Sequence, residues 1–144
     1  YAGAGLFALP LARGGREVVA VEESRAAVAD GEASRRLNRI PEPRCRFVAR
    51  RVEQALAELT PSAARAPFDA VVLDPPREGC SPVVIDRVFG GLAPATAAYV
   101  SCNPEALARD LAAITRLQYR IVSIQPVDMF PHTAHVETLV ILTR

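Results

Sequence analysis

The chain has 144 residues, half of them hydrophobic, and a formal net charge of +1. That is enough apolar material for a packed core and too much for a disordered chain. No apolar run approaches the roughly 18–20 residues that a membrane-spanning helix needs, and the near-neutral charge argues against a generally basic nucleic-acid binder.

The chain opens on Tyr1-Ala2-Gly3-Ala4-Gly5-Leu6-Phe7, a glycine turn ahead of a helix. With no initiating Met and no basic-then-apolar leader, it reads as a fragment, and a mid-sheet strand is expected upstream of Tyr1. Val18–Val21 is a buried strand, and Ser24 caps the helix that runs to about Leu37 or Asn38. Arg46–Ala49 is a second strand, followed by a short helix near Val52–Leu59 and a loop over Pro61–Pro67. Asp69–Leu73 is apolar on both faces, as a strand of a parallel sheet requires. Ser81 with Pro82 opens another helix, because Pro suits the first helical turn. Ala98–Ser101 is a strand, and Asn103 with Pro104 starts a helix through about Arg116. Two strands close the chain, Arg120–Pro126 and Val136–Leu142. About ten residues separate them, too few for a helical crossover, so they pair antiparallel. This alternation predicts a doubly wound α/β sheet in one domain spanning 1–144.

Two residue types add to this outline. All 17 basic residues are Arg, and seven fall between Arg35 and Arg51: Arg35, Arg36, Arg39, Arg44, Arg46, Arg50 and Arg51. Guanidinium forks suit phosphate oxygens, so the run is a candidate RNA footprint, although a solvated helix face and strand edge explain it better. The three cysteines, Cys45, Cys80 and Cys102, are an odd number without CxxC spacing. They fit neither a disulfide framework nor a zinc site, and a reducing, cytoplasmic setting follows by default.

Four stretches carry chemistry. Gly3 and Gly5 allow a sharp turn and close approach to a ligand. Glu22 ends the next strand, where a carboxylate can accept from ribose hydroxyls. Asp74-Pro75-Pro76-Arg77 leaves an apolar strand at its carboxyl end, where α/β proteins bind ligands, and the prolines stiffen the segment that carries Asp74 and Arg77. Similar Pro-Pro loops occur in nucleobase amino-methyltransferases, usually with an aromatic residue where Arg77 stands. Ser101-Cys102-Asn103-Pro104 sets Cys102 at the next strand's end, beside a helix N-terminus whose dipole favours thiolate. Cys45 and Cys80 lack this context and read as structural. In the last connection, His132 and His135 lie three apart in a Pro-containing loop without an obvious third ligand, so no metal is expected. Glu137, at the start of an apolar strand, suits a partly desolvated general base.

Together these stretches resemble the tRNA and ribosomal RNA uracil-5 methyltransferases over essentially the whole chain. The Ser101–Pro104 and Asp128–Glu137 segments are the most specific, and Asp74–Arg77 accompanies them. The resemblance implies a Rossmann-like S-adenosylmethionine-dependent methyltransferase fold, mostly parallel with an antiparallel last strand. It implies a catalytic domain whose upstream RNA-binding and central regions are absent, with tRNA or ribosomal RNA as partner. Cys102 would be the nucleophile and Glu137 the base, with Asp74 between cofactor and target base. Arg77 would touch RNA phosphate, and Tyr1, Gly3, Gly5, Leu6 and Glu22 would line the cofactor site. The chain departs from the family at Ala2, where relatives often carry Cys, and at Ala49-Arg50-Arg51, where many place an acidic or amide residue near adenine; no adenine contact is carried over there. Two rivals remain open: an amino-directed nucleic-acid methyltransferase, which needs no cysteine, and a catalytically inert cofactor-binding fragment.

Overall fold

Short β-branched runs become strands and the amphipathic stretches between them become helices, in a computed structural model that describes residues 1–59, 68–129, 131–133 and 136–144. The Pro61–Pro67 loop expectation lies outside the described residues, as do Phe130, Ala134 and His135. The chain divides into two units, Tyr1–Ala55 and Leu56–Arg144.

In the first unit α1 (Ala8–Arg13) follows the glycine turn, and β1 (Val18–Glu22) pairs parallel with β2 (Cys45–Ala49), Val18 opposite Cys45 and Glu22 opposite Ala49. The crossover between these parallel strands is α2 (Arg25–Leu37), which starts where the Ser24 hydroxyl accepts from the Ala27 N–H at 3.3 Å. Ala8, Ala12, Ala20, Ile40 and Cys45 form the core, with Phe47 packed against it. The Phe47 ring leaves no room for side chains beside it. A Cβ on Gly31 of α2 would lie 2.5 Å from Phe47 Cε1, and one on Gly5 would lie 2.8 Å from its Cζ.

The unit boundary falls inside α3 (Val52–Leu59). The second unit continues with β3 (Ala70–Leu73), α4 (Pro82–Ile85), β4 (Thr96–Ser101), α5 (Pro104–Arg116), β5 (Arg120–Val127) and β6 (Glu137–Thr143). The sheet order is β3-β4-β6-β5. β3 and β4 run parallel, whereas β6 runs antiparallel to both β4 and β5, as expected of the last strand. One face buries Leu73, Ala97, Tyr99, Val140 and Leu142, and the buried residues of the helices include Val84, Leu107, Leu111 and Ile114. Phe89 and Tyr119 meet edge to face, with centroids 4.9 Å apart.

Among the described residues β1 pairs only with β2, and β3 only with β4, so the strands fall into two hydrogen-bonded sheets. One feature differs from the sequence expectation. The helix opened by Ser81 and Pro82 keeps α geometry for one turn and continues as a π-helical stretch over Asp86–Leu92, where Gly90 and Gly91 weaken the regular ladder. At the sheet edge β5 is exposed along its whole length, which accommodates Pro126 without loss of an inner-ladder hydrogen bond. No helix among the described residues is long and apolar enough to cross a membrane.

The tight seat of Phe47 gives a stability prediction. Ala normally favours a helix over Gly by about 1 kcal/mol, but Gly31→Ala should destabilise by about 1–3 kcal/mol through overpacking. Urea unfolding of Gly31→Ala with and without Phe47→Leu checks this: the second change should recover part of the loss, and a stabilised single variant contradicts the packing.

Candidate active site

The expected site residues fall into two groups, one in each unit. In the first, the turn from Tyr1 is tied to the end of β1. The backbone nitrogens of Tyr1 and Ala2 both donate to the Val21 carbonyl, at 2.8 and 3.0 Å. Glu22 then holds the turn from its side chain, accepting from the Gly3 N–H at 2.8 Å and from the Ser24 N–H at 2.9 Å, one on each oxygen. Burial pushes its pKa up, but the Ser24 and Gly3 N–H groups help to outweigh burial and leave it below the ordinary carboxylate value. The two glycines have different reasons. Gly3 has φ +52° and a Cβ there would meet nothing within 4 Å, so the backbone faces open space; Gly5 has φ +91° and is packed against Phe47 and Leu9. Leu6 is 75% exposed beside them.

In the second unit the register of the strands gathers the other group. The β4–β6 ladder ends with Ser101 opposite Thr138; Cys102 directly follows Ser101 where β4 ends, and Glu137, the first residue of β6, directly precedes Thr138. In the parallel β3–β4 pair Leu73 lies opposite Tyr99, which puts Asp74 beside Val100. Strand side chains alternate between faces. Leu73, Tyr99, Ser101, Thr138 and Val140 take the buried face. Val100 and Glu137 therefore fall on the other face, and Asp74 and Cys102 follow directly on β3 and β4 at the same end of the sheet. Cys102 and Glu137 are half-buried, while Asp74 keeps access to water. Burial nevertheless raises the Asp74 pKa above its ordinary value.

Cys102 directly precedes Asn103, whose carboxamide oxygen caps α5 by accepting from the Glu105 and Ala106 N–H groups at 3.1 and 3.4 Å. The amide nitrogen of the same side chain donates to the Arg77 carbonyl at 3.0 Å. One residue thus joins the helix start beside the thiol to the Asp74–Arg77 segment. The Arg77 side chain itself is exposed. Cys45 and Cys80 are buried, at 0% and 4% exposure, as their structural reading requires. His132 is exposed in the last connection, and His135 is outside the described residues.

Within the Arg35–Arg51 run, four arginines have partners in the chain itself. Arg35 is buried, donates to Glu32 and to the Ile40 carbonyl, and serves the fold instead of a ligand. Arg36 also lies within ion-pair distance of Glu32, Arg51 lies near Glu23 and Glu53, and Arg44 donates to the Gly15 carbonyl. The sequence reading missed Asp110, a fully buried carboxylate that accepts from Tyr99 and from the Cys80 N–H. Its signal was available: Asp110 interrupts the apolar stripe Ala106, Leu107, Leu111 and Ile114 of α5.

The chain is 44% identical over all of its length to an uncharacterized RNA methyltransferase of Geobacter sulfurreducens, of which it covers 28%. It is 44% identical over 98% of its length to the 23S rRNA (uracil(1939)-C(5))-methyltransferase of Dechloromonas aromatica, covering 32% of that protein. Among solved structures, the Pyrococcus abyssi tRNA (uracil-54, C5)-methyltransferase in complex with S-adenosyl-L-homocysteine superposes with a TM-score of 0.83 at 32% identity; 99% of this chain and 33% of that one are covered. The chain therefore spans about a third of the length of such relatives, and its fold is that of the S-adenosylmethionine-dependent methyltransferases. The family model for tRNA (uracil-5-)-methyltransferase matches residues 1–144, and the chain belongs to that family.

Proposed function

We propose that residues 1–144 are the catalytic domain of a longer S-adenosylmethionine-dependent RNA methyltransferase that forms 5-methyluridine through a covalent adduct of Cys102 with carbon 6 of uracil. The observation that carries this reading is that Asp74 follows β3, Cys102 follows β4 and Glu137 begins β6 at one end of the second sheet. Two of the relatives named above, a 23S rRNA (uracil-C5)-methyltransferase and a tRNA (uracil-54, C5)-methyltransferase, support RNA as the substrate class.

The first unit suits an adenosyl cofactor. Open space at Gly3 admits a ligand against the backbone and Glu22 retains lone pairs for ribose hydroxyls, with Tyr1, Gly5 and Leu6 assigned to the same turn by the family resemblance. When bound, S-adenosylmethionine supplies an electrophilic methyl group. The protein's own task is to make carbon 5 of uracil nucleophilic, which the free base is not. Cys102 thiolate adds to carbon 6, and the electron pair of the 5,6 double bond moves into an enolate that is nucleophilic at carbon 5. Once carbon 5 is methylated, Glu137 removes its remaining proton. The returning electron pair expels the Cys102 thiolate and restores the double bond. The target base must be unstacked for the sulfur to approach its face, and the exposed Arg77 guanidinium supplies a fork suited to RNA phosphate. A reducing, cytoplasmic compartment keeps the sulfur free to react.

Fluorine at carbon 5 cannot leave as a cation, so RNA containing 5-fluorouridine should trap the intact protein as a gel-stable complex. Cys102→Ala should abolish that complex and reduce methylation by roughly a thousandfold or more; retained turnover would point to the amino-directed class. Glu137→Gln should still methylate in a single turnover yet accumulate adduct and release product slowly, and a normal release rate would reassign the base. Glu22→Gln loses a charged acceptor, so calorimetry should show S-adenosylmethionine binding weakened by about tenfold or more. Unchanged affinity, or no binding by the parent chain, removes the cofactor assignment.

A further inference from the structure

A second set of residues lies on the helix-covered face behind Cys102. Asp110 is 1% exposed, and each of its oxygens is fully engaged. Oδ2 accepts from the Cys80 N–H at 2.7 Å and from the Tyr99 hydroxyl at 2.5 Å. Oδ1 accepts from Arg109 Nε at 2.9 Å and Nη2 at 2.7 Å. Arg109 Nη2 reaches on to the Glu78 carbonyl at 2.6 Å, and Asn103 holds the Arg77 carbonyl. Side chains of α5 and its cap thus grip the backbone at Arg77, Glu78 and Cys80. Gly79 lies inside the grip with φ +79°; a Cβ there would sit 2.5 Å from Asp110 Oδ2 and 2.7 Å from Arg109 Nη2. A buried carboxylate is costly and apolar packing does not require one. What this carboxylate achieves is directional: it fixes the loop that follows Asp74 to the strand and helix that flank Cys102.

We propose that Asp110 is a positioning residue which, through Tyr99, Arg109 and the Cys80 amide, sets Asp74 and Arg77 in register with the Cys102 thiol. Asp110 touches no reacting atom. It acts on the 74–80 segment, and misplacing a reacting arrangement by about 1 Å costs roughly a hundredfold in rate. This inference rests on the uracil-methylation reading above.

The test uses the intact protein and 5-fluorouridine RNA, with adduct formation followed by rapid quench so that amplitude and rate constant are read separately. Damage to the fold alone lowers the amplitude, which counts competent molecules, and leaves the rate constant and the KM for RNA unchanged. Asp110→Asn and Gly79→Ala should lower the rate constant by about tenfold or more, with the KM for RNA raised. The amplitude should stay within about twofold of the parent protein's. Tyr99→Phe, the milder change, should slow the same step by about threefold and serves if either variant fails to fold. Adduct formation at the parental rate constant in these variants overturns the positioning role while leaving the uracil reading intact. A parent protein that forms no adduct overturns the uracil reading itself, and the positioning role with it.

Discussion

The pairing of β4 with β6 constrains everything else in the second unit. Ser101 opposite Thr138 is the last pair of that ladder, and the two residues that follow it are the thiol and the carboxylate on which the proposed chemistry turns. Strand side chains alternate with a period of two, so a slip of one residue would carry a side chain to the opposite face. Slippage is opposed from the other face: Tyr99, Val140 and Leu142 are fully buried there, and moving them into water would forfeit about 1.5–3 kcal/mol for each. The apolar side of the sheet therefore protects the alignment of its polar end.

The same economy appears in single residues with two attachments. Asn103 caps α5 with its oxygen and holds Arg77 with its nitrogen. Glu22 ends β1 and, through Gly3, shapes the turn before α1. In both cases a backbone group of a connecting loop is fixed by a side chain anchored on a regular element. Loops carry the ligand-facing groups in α/β proteins, and these bonds give them the order of the strands and helices beside them.

How much of this is legible in the sequence depends on the range of the interaction. Ser24, Ser81 and Asn103 announce helix starts because capping acts over three residues, and all three caps are present. The strands around Val18, Phe47, Val71 and Val100 are legible as short apolar runs, and the antiparallel pairing of the last two follows from the short connection. The proximity of Cys102 and Glu137 along the ladder is not legible from spacing alone, since it depends on register between distant segments. Each residue is legible from its own context, and the resemblance gives the two their paired roles; the register puts both at one end of the sheet. Arg35 looked like one of seven surface cations, yet its burial depends on the Ile40 carbonyl and Glu32, which composition does not reveal. Asp110 is legible as an interruption of the α5 stripe, but its partners are not, since they come from β4 and from the loop after β3.

The unequal exposure of the three sulfurs has a practical consequence. Cys45 and Cys80 are sealed in their cores, and burial pushes the Cys80 thiol up to about 11, which keeps it protonated and inert at neutral pH. Only Cys102 is open enough for an alkylating reagent to reach it in the folded chain. A maleimide dye would therefore label a single defined atom without prior mutagenesis, and a reporter attached there would sit at the strand end shared with Glu137.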